Sequence, residues 1–307
     1  MEFSVVIPSR WNIWKLQWII DSIVVQTKLP KTTYIVLDKF FSKDEFDVLK
    51  YFLTKNIPEN FHSHFEFVSN LNYNFLPDSG VSYVRNFWIN LVSSEYLYII
   101  DDDNIFENNF FENSLDEYIL YLNNLWKSFF APTVIYRKTW NIQSQWFSWI
   151  NTFTGKLIPK KIKDKDYQIV KMIWWNSILW KKEYFRDIMF DEYFSFVYED
   201  LDFSWSATNK WYKIIVSNNT TINHMEKTKS RTETSFIWNP EMAYQKSRNR
   251  IMLLRKHWGL ISNIIFKIFG IWIQTIWFIF LILFFSKNNK YSTIKSVFKW
   301  TIDWFKY

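Results

Sequence analysis

Three consecutive carboxylates, Asp101, Asp102 and Asp103, follow an apolar and β-prone run at residues 96–100. Such a run is typical of a buried strand, and ligands of open α/β sheets bind beyond the carboxyl ends of the strands. Asp101 and Asp103 can point the same way there. Two such carboxylates suit a hard divalent cation that also takes phosphate oxygens. The alternative is an acidic turn, which commonly follows a strand.

A second group of acids, Glu199, Asp200 and Asp202, lies much later in the chain. Acids are favoured at a helix start by the helix dipole, which is the structural explanation. The functional explanation is a general base beside an acceptor site. Asp202 lies about 200° further round a helix than Asp200, so we expect it to face away and to cap the helix. His224 follows in a predicted polar loop, where a lone histidine is more often structural than a ligand.

The elements that must position these acids are predicted from apolar periodicity. Residues 3–7, 33–37, 65–68 and 96–100 are predicted strands, and apolar residues recur at helical spacing between them. This alternation predicts an α/β fold with a mostly parallel sheet and helices on both faces. Asp38 then lies on the same ligand-binding edge as the acids at 101–103. Further strands are predicted at 176–179 and 212–217, a helix at 106–125 and a lysine-rich loop at 156–171.

Several classes of site are disfavoured. The turn Pro8-Ser9-Arg10-Trp11-Asn12 resembles neither G-x-G-x-x-G nor a P-loop, which argues against a dinucleotide dehydrogenase, an NTPase or a nucleotidyltransferase. The chain has no cysteine, so disulfides and thiolate metal sites are excluded. Its net charge of +7 favours anionic partners such as phosphates or a membrane surface. The N-terminus has no basic n-region, and we expect no signal peptide.

Glycine and tryptophan occur in unusual numbers, 4 and 19 in 307 residues. At the usual frequency a chain of this length contains about 21 glycines. Trp211 precedes a predicted strand at a position that favours a positive φ, and Trp174 and Trp175 precede another. A code that reads UGA as glycine, translated with a table that reads it as tryptophan, gives this pattern. We therefore predict that many of these tryptophans are glycine in the living cell; the alternative is a genuinely tryptophan-rich protein.

Four motifs in order resemble the family 2 glycosyltransferases over about residues 3–225. They are Ser-Val-Val-Ile-Pro at 4–8, Val-Arg-Asn-Phe-Trp-Ile at 84–89, Tyr-Ile-Ile-Asp-Asp-Asp at 98–103, and Phe-Asp-Glu at 190–192 leading to Glu-Asp-Leu-Asp at 199–202. The resemblance implies a GT-A fold over residues 1–230, with a nucleotide-sugar half at 1–105 and an acceptor half at 106–230. Trp88 and Trp211 stand where that family has glycine.

The resemblance also implies roles for individual residues. For the nucleotide sugar it implies contacts from Pro8, Arg10, Asp38, Arg85, Asp101 and Asp102. For Mg²⁺ or Mn²⁺ it implies Asp101 and Asp103, which match the D-x-D pair, and His224. Asp200 matches the catalytic base. One departure concerns recognition of the nucleobase of the donor. Lys39-Phe40-Phe41 follows Asp38, where the family usually has a second acid.

The implied reaction is an inverting, metal-dependent transfer of a sugar from a UDP- or dTDP-linked donor. The implied acceptor is a hydroxyl of a glycan or a lipid-linked molecule in envelope assembly, and no nucleic acid is involved. The alternative is a non-catalytic, membrane-bound glycan-binding protein on the same scaffold. That alternative gains weight if every tryptophan is real, because indoles suit sugar stacking and their bulk could block the nucleotide pocket.

The C-terminal quarter has a different character. Residues 231–259 form a predicted basic, amphipathic, membrane-proximal segment, with Lys and Arg among apolar residues at 244–257. Within 260–307, residues 268–285 carry no charge and reach the ~18-residue threshold of a transmembrane helix, followed by an amphipathic tail. A single span and a shallow interfacial hairpin both fit, and a buried core helix is the alternative. We expect a membrane protein with its catalytic domain on the cytoplasmic face.

Overall fold

The computed structural model describes residues 1–10, 12–55, 57–74, 76, 79–137, 140–143, 146–160, 166–174, 176–225, 239–286 and 289–305. Trp11 and Trp175 fall outside these residues. So do residues 226–230 of the predicted catalytic domain and 231–238 of the predicted basic segment.

Twelve strands lie within the described residues. They are β1 (Phe3–Ser9), β2 (Thr32–Leu37), β3 (Phe65–Val68), β4 (Tyr96–Ile100), β5 (Asn104–Ile105), β6 (Ser128–Tyr136), β7 (Trp146–Ile150), β8 (Leu157–Pro159), β9 (Tyr167–Val170), β10 (Met172–Ile173), β11 (Ser177–Lys181) and β12 (Lys213–His224).

The α-helices of the described residues surround and extend this sheet. They are α1 (Ile13–Val24), α2 (Lys43–Thr54), α3 (Val81–Leu91), α4 (Phe110–Leu125), α5 (Glu199–Asn209), α6 (Pro240–His257), α7 (Leu260–Ile265), α8 (Ile271–Phe285) and α9 (Lys290–Phe305). Helix α2 begins with a capping box in which Ser42 and Glu45 satisfy each other's backbone N–H groups. Helix α1 begins at Asn12, whose side chain accepts a hydrogen bond from the backbone of Lys15.

The main sheet confirms the predicted mixed, mostly parallel architecture. Its strand order is β3-β2-β1-β4-β11-β6-β12-β5, with β9 paired to β12. Strands β3, β2, β1 and β4 are mutually parallel, and β6 is parallel to β12. Strand β11 is antiparallel to both of its neighbours and joins the two parallel groups. A second, three-stranded sheet has the order β10-β7-β8.

Both faces of the parallel strands are buried, which explains why they read as continuous apolar runs. In β1, Val5 and Ile7 pack with α1 and α4 on one face. Val6 packs with α3 and α5 on the other face. With helices fixed on both faces, ligands can reach the sheet only at its ends.

Three local features of the fold differ from the sequence prediction. Strand β6 escaped prediction because it contains Pro132, which a central strand normally excludes; β12 changes register beside it, between Val216 and Thr221. Strand β12 continues to His224, which therefore lies in a strand and not in a polar loop. Strands β8 and β9 fall inside the stretch predicted as a lysine-rich loop.

The C-terminal helices share a separate apolar cluster. Helix α9 packs against both α6 and α8, and Val297 and Trp300 of α9 are buried in that cluster. The helical stretch Leu260–Phe285 contains an 18-residue window with a mean hydropathy of 2.3 and is long and apolar enough to cross a membrane. It includes Lys267 and a π-helical turn at Phe266–Gly270.

Three tryptophans have the backbone conformation of glycine. Trp126, Trp140 and Trp211 have φ of 61°, 56° and 70°, and their side chains are 79%, 72% and 85% exposed. A left-handed conformation costs a residue with a Cβ roughly 1–2 kcal/mol, and side chains this exposed bury little apolar area to offset it. These positions therefore favour glycine, as the composition predicts. Other tryptophans, such as Trp180 in β11, are fully buried.

Candidate functional site

The pocket that contains the predicted site residues lies at the carboxyl ends of β1, β2 and β4, where α1, α3 and α5 begin. Its volume is about 370 Å³. Seven of the nine predicted site residues line it: Pro8, Arg10, Asp38, Arg85, Asp101, Asp102 and Asp103. The other two contact that lining, since Asp200 lies beside Arg85 and His224 lies beside Asp103.

The side of the pocket nearest β1 and β2 is polar, and its groups are held by hydrogen bonds and an ion pair. Ser9 Oγ donates a hydrogen bond to Asp102 Oδ2 at 2.5 Å. The backbone N–H of Asp38 donates to the Ser9 carbonyl at 2.8 Å, which ties the ends of the two strands together. Arg10 Nε lies 3.7 Å from Asp38 Oδ2, and its guanidinium lies 5.9 Å from the centre of the Phe196 ring. An arginine, a buried acid and an aromatic ring thus frame this end.

Asp103 lies between two basic side chains. Its Oδ2 is 3.0 Å from Lys15 Nζ and 3.2 Å from His224 Nε2. Burial raises the pKa of Asp103, but the hydrogen bond and charge of His224 and then those of Lys15 outweigh it and lower the pKa to about 2. The backbone N–H of Met225 donates to the Asp103 carbonyl, which anchors the end of β12 to this acid. Asp103 is therefore fixed as a carboxylate.

Arg85 is buried among three carboxylates. Its Nη2 is 3.6 Å from Asp101 Oδ1, and its Nη1 is 3.4 Å from Glu199 Oε1 and 3.5 Å from Asp200 Oδ1. Burial opposes the charge of Arg85, but Asp200, Glu199 and Asp101 together raise its pKa. Burial and then the charge of Asp200 raise the pKa of Glu199 well above its usual range, with Arg85 acting in the opposite direction. The protonated form of Glu199 is therefore favoured here more than in a solvent-exposed glutamate.

Asp101 and Asp103 have different partners. Asp101 faces Arg85 on α3, whereas Asp103 faces Lys15 on α1 and His224 on β12. Burial raises the pKa of Asp101 well above its usual range; Arg85 acts in the opposite direction, and the charge of Asp103 adds to the rise. The two carboxylates are thus close enough to affect each other while each is bound from its own side.

Asp202 faces away from the pocket, as its helical spacing predicts, but it does not cap α5. The helix begins after Tyr198, and no side chain caps it. Asp202 is 1% exposed, and its carboxylate lies 2.9 Å from Lys256 Nζ and 2.8 Å from His257 Nε2. It therefore joins α5 to the end of α6.

The chain enters α5 through a strained turn. Val197 and Tyr198 have φ of 65° and 75°, and neither is a glycine. For a β-branched residue such as valine this conformation is a genuine outlier, and each such residue costs of order 1–3 kcal/mol. The turn directly precedes Glu199 and Asp200, so its geometry sets where these acids point.

The donor set of this pocket fits a hard divalent cation in chemistry. Asp101 and Asp103 offer carboxylate oxygens, and His224 offers an imidazole nitrogen. Among the residues that the structure describes, no three His, Asp or Glu side chains are gathered as a ready metal site. A cation here would take further oxygens from a bound diphosphate, as Mg²⁺ does in sites with one or two carboxylates.

Two charged residues of the pocket were missing from the predicted site. Lys15 sits in the first turn of α1, where a positive charge opposes the helix dipole. That mismatch was the available signal that Lys15 contacts negative charge elsewhere in the chain. Glu199 had a sufficient structural explanation as a helix-start acid, and only the fold shows that it faces Arg85.

Sequence comparison leaves the family open, since no protein-family model and no curated protein matches the chain. Structure comparison finds likenesses. The crystal structure of GalNAc-T7 with UDP, GalNAc and Mn²⁺ matches with a TM-score of 0.65 and 11% identity, over 87% of this chain and 50% of that chain. The 1–349 fragment of S. aureus TarS with UDP-GlcNAc matches with a TM-score of 0.52 and 15% identity, over 96% of this chain and 79% of that chain.

The chain spans half the length of the GalNAc-T7 chain. At these identities the likeness concerns the fold. The protein has the GT-A fold of these glycosyltransferases.

Proposed function

We propose that this chain is a family 2-like glycosyltransferase, which moves a hexosyl or deoxyhexosyl group from a nucleotide sugar to an acceptor hydroxyl with inversion. The proposal rests on one observation, which is that two clusters of charged side chains lie in and beside one pocket. Acids at the ends of β2 and β4 supply a nucleotide-diphosphate site, and the Arg85 cluster brings Asp200 and Glu199 to its side. A binding site alone does not need a buried acid pair at that place.

The nucleotide end of the donor lies near β1 and β2 in this proposal. Pro8, Arg10 and Asp38 line that end of the pocket, and Phe196 adds an aromatic wall. The proposed donors are UDP- or dTDP-sugars. The solved structures of GalNAc-T7 and TarS contain UDP or UDP-GlcNAc, which supports a donor of this class on the shared fold.

The diphosphate lies over the acids of β4 in this proposal. Asp101, Asp103 and His224 would hold Mg²⁺ or Mn²⁺, and the cation would act as a Lewis acid on the departing diphosphate. Asp102, the acid between them, is held by Ser9 at the end of β1. Lys15 and Arg85 supply positive charge of the protein's own, which offsets the charge that develops on the leaving group.

Asp200 is the proposed general base. It accepts the proton of the acceptor hydroxyl while that oxygen forms a bond to the anomeric carbon. The bond from that carbon to the phosphate oxygen breaks, and the nucleoside diphosphate leaves with the electron pair. Displacement from the opposite side inverts the anomeric centre. The Arg85 guanidinium, which also contacts Glu199, holds Asp200 in place.

The proposed acceptor is a glycan or lipid-linked molecule at the cytoplasmic face of the cell membrane. The apolar stretch Leu260–Phe285 supports membrane association by its length and composition. Many of its side chains are exposed, including Ile276 at 66%. Helix α6 precedes it and carries an exposed Arg255 in its last turn, a charge that suits an anionic membrane surface.

The glycan-binding alternative rests on exposed or obstructing indoles. No tryptophan is among the described residues that line the pocket of Asp101 and Asp103. Trp11 lies outside the described residues. The most exposed indoles, at Trp126 and Trp211, sit in backbone conformations that favour glycine. These observations favour the transferase.

A donor screen tests the proposal. The full chain, purified in lipid nanodiscs, is incubated with UDP-, dTDP- and GDP-sugars with Mn²⁺, with Mg²⁺ or with EDTA, and release of the nucleoside diphosphate is measured. We expect one UDP- or dTDP-sugar to be consumed only with a divalent cation. If the donors bind and none is consumed with any glycan or lipid-linked acceptor, the chain is a binding protein.

A further inference from the structure

Helix α6 reaches from the apolar C-terminal helices to the turn that carries Glu199 and Asp200. Within this helix Asn249 is fully buried. Its Nδ2 donates to the carbonyls of Phe196 at 2.7 Å and Val197 at 2.8 Å. Its Oδ1 accepts a hydrogen bond from Arg248 Nε at 2.9 Å. Both hydrogens of the amide are thus committed to one turn of the chain.

That turn is the strained one. Asn249 binds the carbonyls immediately before and within it, while Val197 and Tyr198 hold left-handed conformations. Residues with a Cβ keep such a conformation only when their surroundings enforce it. From the other side, α3 holds the residues just before the turn, because Val81 N–H donates to the Ser195 carbonyl and Ser82 Oγ to the Phe194 carbonyl.

Arg250 binds the next residue of the turn. Its Nε donates to the Tyr198 hydroxyl at 2.5 Å. Its Nη1 lies 2.8 Å from the side-chain amide of Gln274 in α8. Because a guanidinium only donates, the amide oxygen is the atom that faces it. Buried polar contacts therefore run from the apolar helix through α6 to the start of α5.

We propose that Asn249 is a positioning residue: it enforces the Val197–Tyr198 turn and so fixes Glu199 and Asp200 against Arg85. Arg250 links the same turn to α8. This inference rests on the proposed glycosyltransferase function, in which Asp200 is the base. Neither amide contact touches the donor or the acceptor, so Asn249 acts through the turn alone.

The test compares Asn249→Leu with Asn263→Leu. Leucine keeps the size of asparagine and removes the donor without adding charge. Asn263 is a matched control, because its Nδ2 also donates to two carbonyls, those of Trp258 and Gly259, away from the pocket. We expect kcat to fall about 10²-fold in Asn249→Leu, the scale of a 1 Å misplacement, with the donor KM changed less than threefold. Asn263→Leu should keep kcat within threefold.

Val197→Gly provides the rescue. Glycine adopts a positive φ without strain, so the turn then needs less enforcement. The double variant Asn249→Leu, Val197→Gly should recover at least threefold of the lost kcat relative to Asn249→Leu. A purely structural role for Asn249 would lower the melting temperature without this kcat-specific loss and rescue. If Asn249→Leu does not fold, Asn249→Ser gives the same comparison, since its single hydroxyl is too short to bind both carbonyls.

Hydrogen exchange separates this inference from the proposed function. If the unmodified chain turns over no nucleotide sugar, the function fails, while exchange at the amides of residues 199–203 still reports on the turn. Faster exchange there in Asn249→Leu, with unchanged exchange in α4, supports the positioning role. Equal kcat in the Asn249 and Asn263 variants of an active enzyme, or unchanged exchange in residues 199–203, overturns it.

Discussion

Arg85 Nη1 lies 3.5 Å from Asp200 Oδ1, and this contact joins the two halves of the pocket. Arg85 comes from α3, which packs beside β1, whereas Asp200 lies in the first turn of α5, which follows β11 in the chain. The same guanidinium reaches Asp101 at the end of β4. One buried cation therefore holds a proposed metal ligand and the proposed base at a fixed separation.

The raised pKa of Glu199 gives a prediction about turnover and about how stability depends on pH. Glutamine resembles the protonated acid, so Glu199→Gln should keep turnover at neutral pH within about threefold. A raised pKa in the folded state means that the native chain keeps a proton that the unfolded chain has lost. Stability due to Glu199 should therefore fall as pH rises from about 4.3, the usual glutamate value, toward the raised folded pKa.

Thermal melts across that pH range check this prediction. Glu199→Gln should remove part of the decline in melting temperature that the unmodified chain shows as pH rises. Asp187→Asn is the control, because Asp187 lies outside the pocket and its carboxylate accepts a hydrogen bond from the Tyr212 hydroxyl. An unchanged pH profile in Glu199→Gln would mean that Glu199 is ionised in the folded protein.

Much of the fold was predictable because parallel strands carry a strong signal. Strands β1 to β4, buried on both faces, were predicted within two residues of their ends. Strand β6 was not, because the cost of Pro132 is offset by the register change of β12, a tertiary feature. The length of β12 depended on pairing with β5 and β6, which no local pattern records.

The site was predictable where residues follow a strand end. Asp38 and Asp101 to Asp103 reach one pocket because parallel strands share an edge. The contacts of Arg85 with Glu199 and of Lys15 with Asp103 join distant elements, so only the folded chain shows them. The roles of these residues stay predictions.

Replacing Trp211 with glycine should stabilise the protein. Its φ of 70° is free of strain for glycine, and its side chain is 85% exposed, so little packing is lost. We expect a gain of about 1 kcal/mol in the free energy of unfolding. Trp180→Gly is the control, because its fully buried indole stacks on Phe185 and its loss should cost about 3–5 kcal/mol. Destabilisation by Trp211→Gly would contradict the glycine interpretation, and intact mass of the protein from its native organism tests it directly.

Asp103→Ala should abolish metal-dependent donor binding while the fold persists. The residue sits at a sheet edge, not in the core, and it is the acid that both Lys15 and His224 contact. Isothermal titration of UDP with and without Mn²⁺ measures the effect, and circular dichroism checks the fold. Equal UDP affinity in the variant and the unmodified chain, with and without Mn²⁺, would remove Asp103 from the metal site.

A charge on the exposed face of α8 should weaken membrane association. Ile276 is 66% exposed within the apolar stretch, and an aspartate at the centre of a membrane helix costs about 3 kcal/mol. Ile276→Asp should therefore shift the protein toward the soluble fraction. Tyr291→Asp is the control, since Tyr291 is 82% exposed in α9, outside that stretch.

Deletion of residues 264–307 should leave only salt-sensitive membrane binding through the basic residues of α6. Salt-resistant membrane binding of the shortened chain would place the anchor elsewhere.

Turnover of Asp200→Asn at saturating donor tests the central claim most directly. Removing a positioned base should lower kcat by about 10²–10⁴-fold, while donor affinity stays near that of the unmodified chain. Asp202→Asn is the control: it breaks the buried contacts with Lys256 and His257, so it should lower stability by roughly 3 kcal/mol and affect kcat much less. Full turnover in Asp200→Asn, or its loss in Asp202→Asn alone, would contradict the assignment of Asp200 as the base.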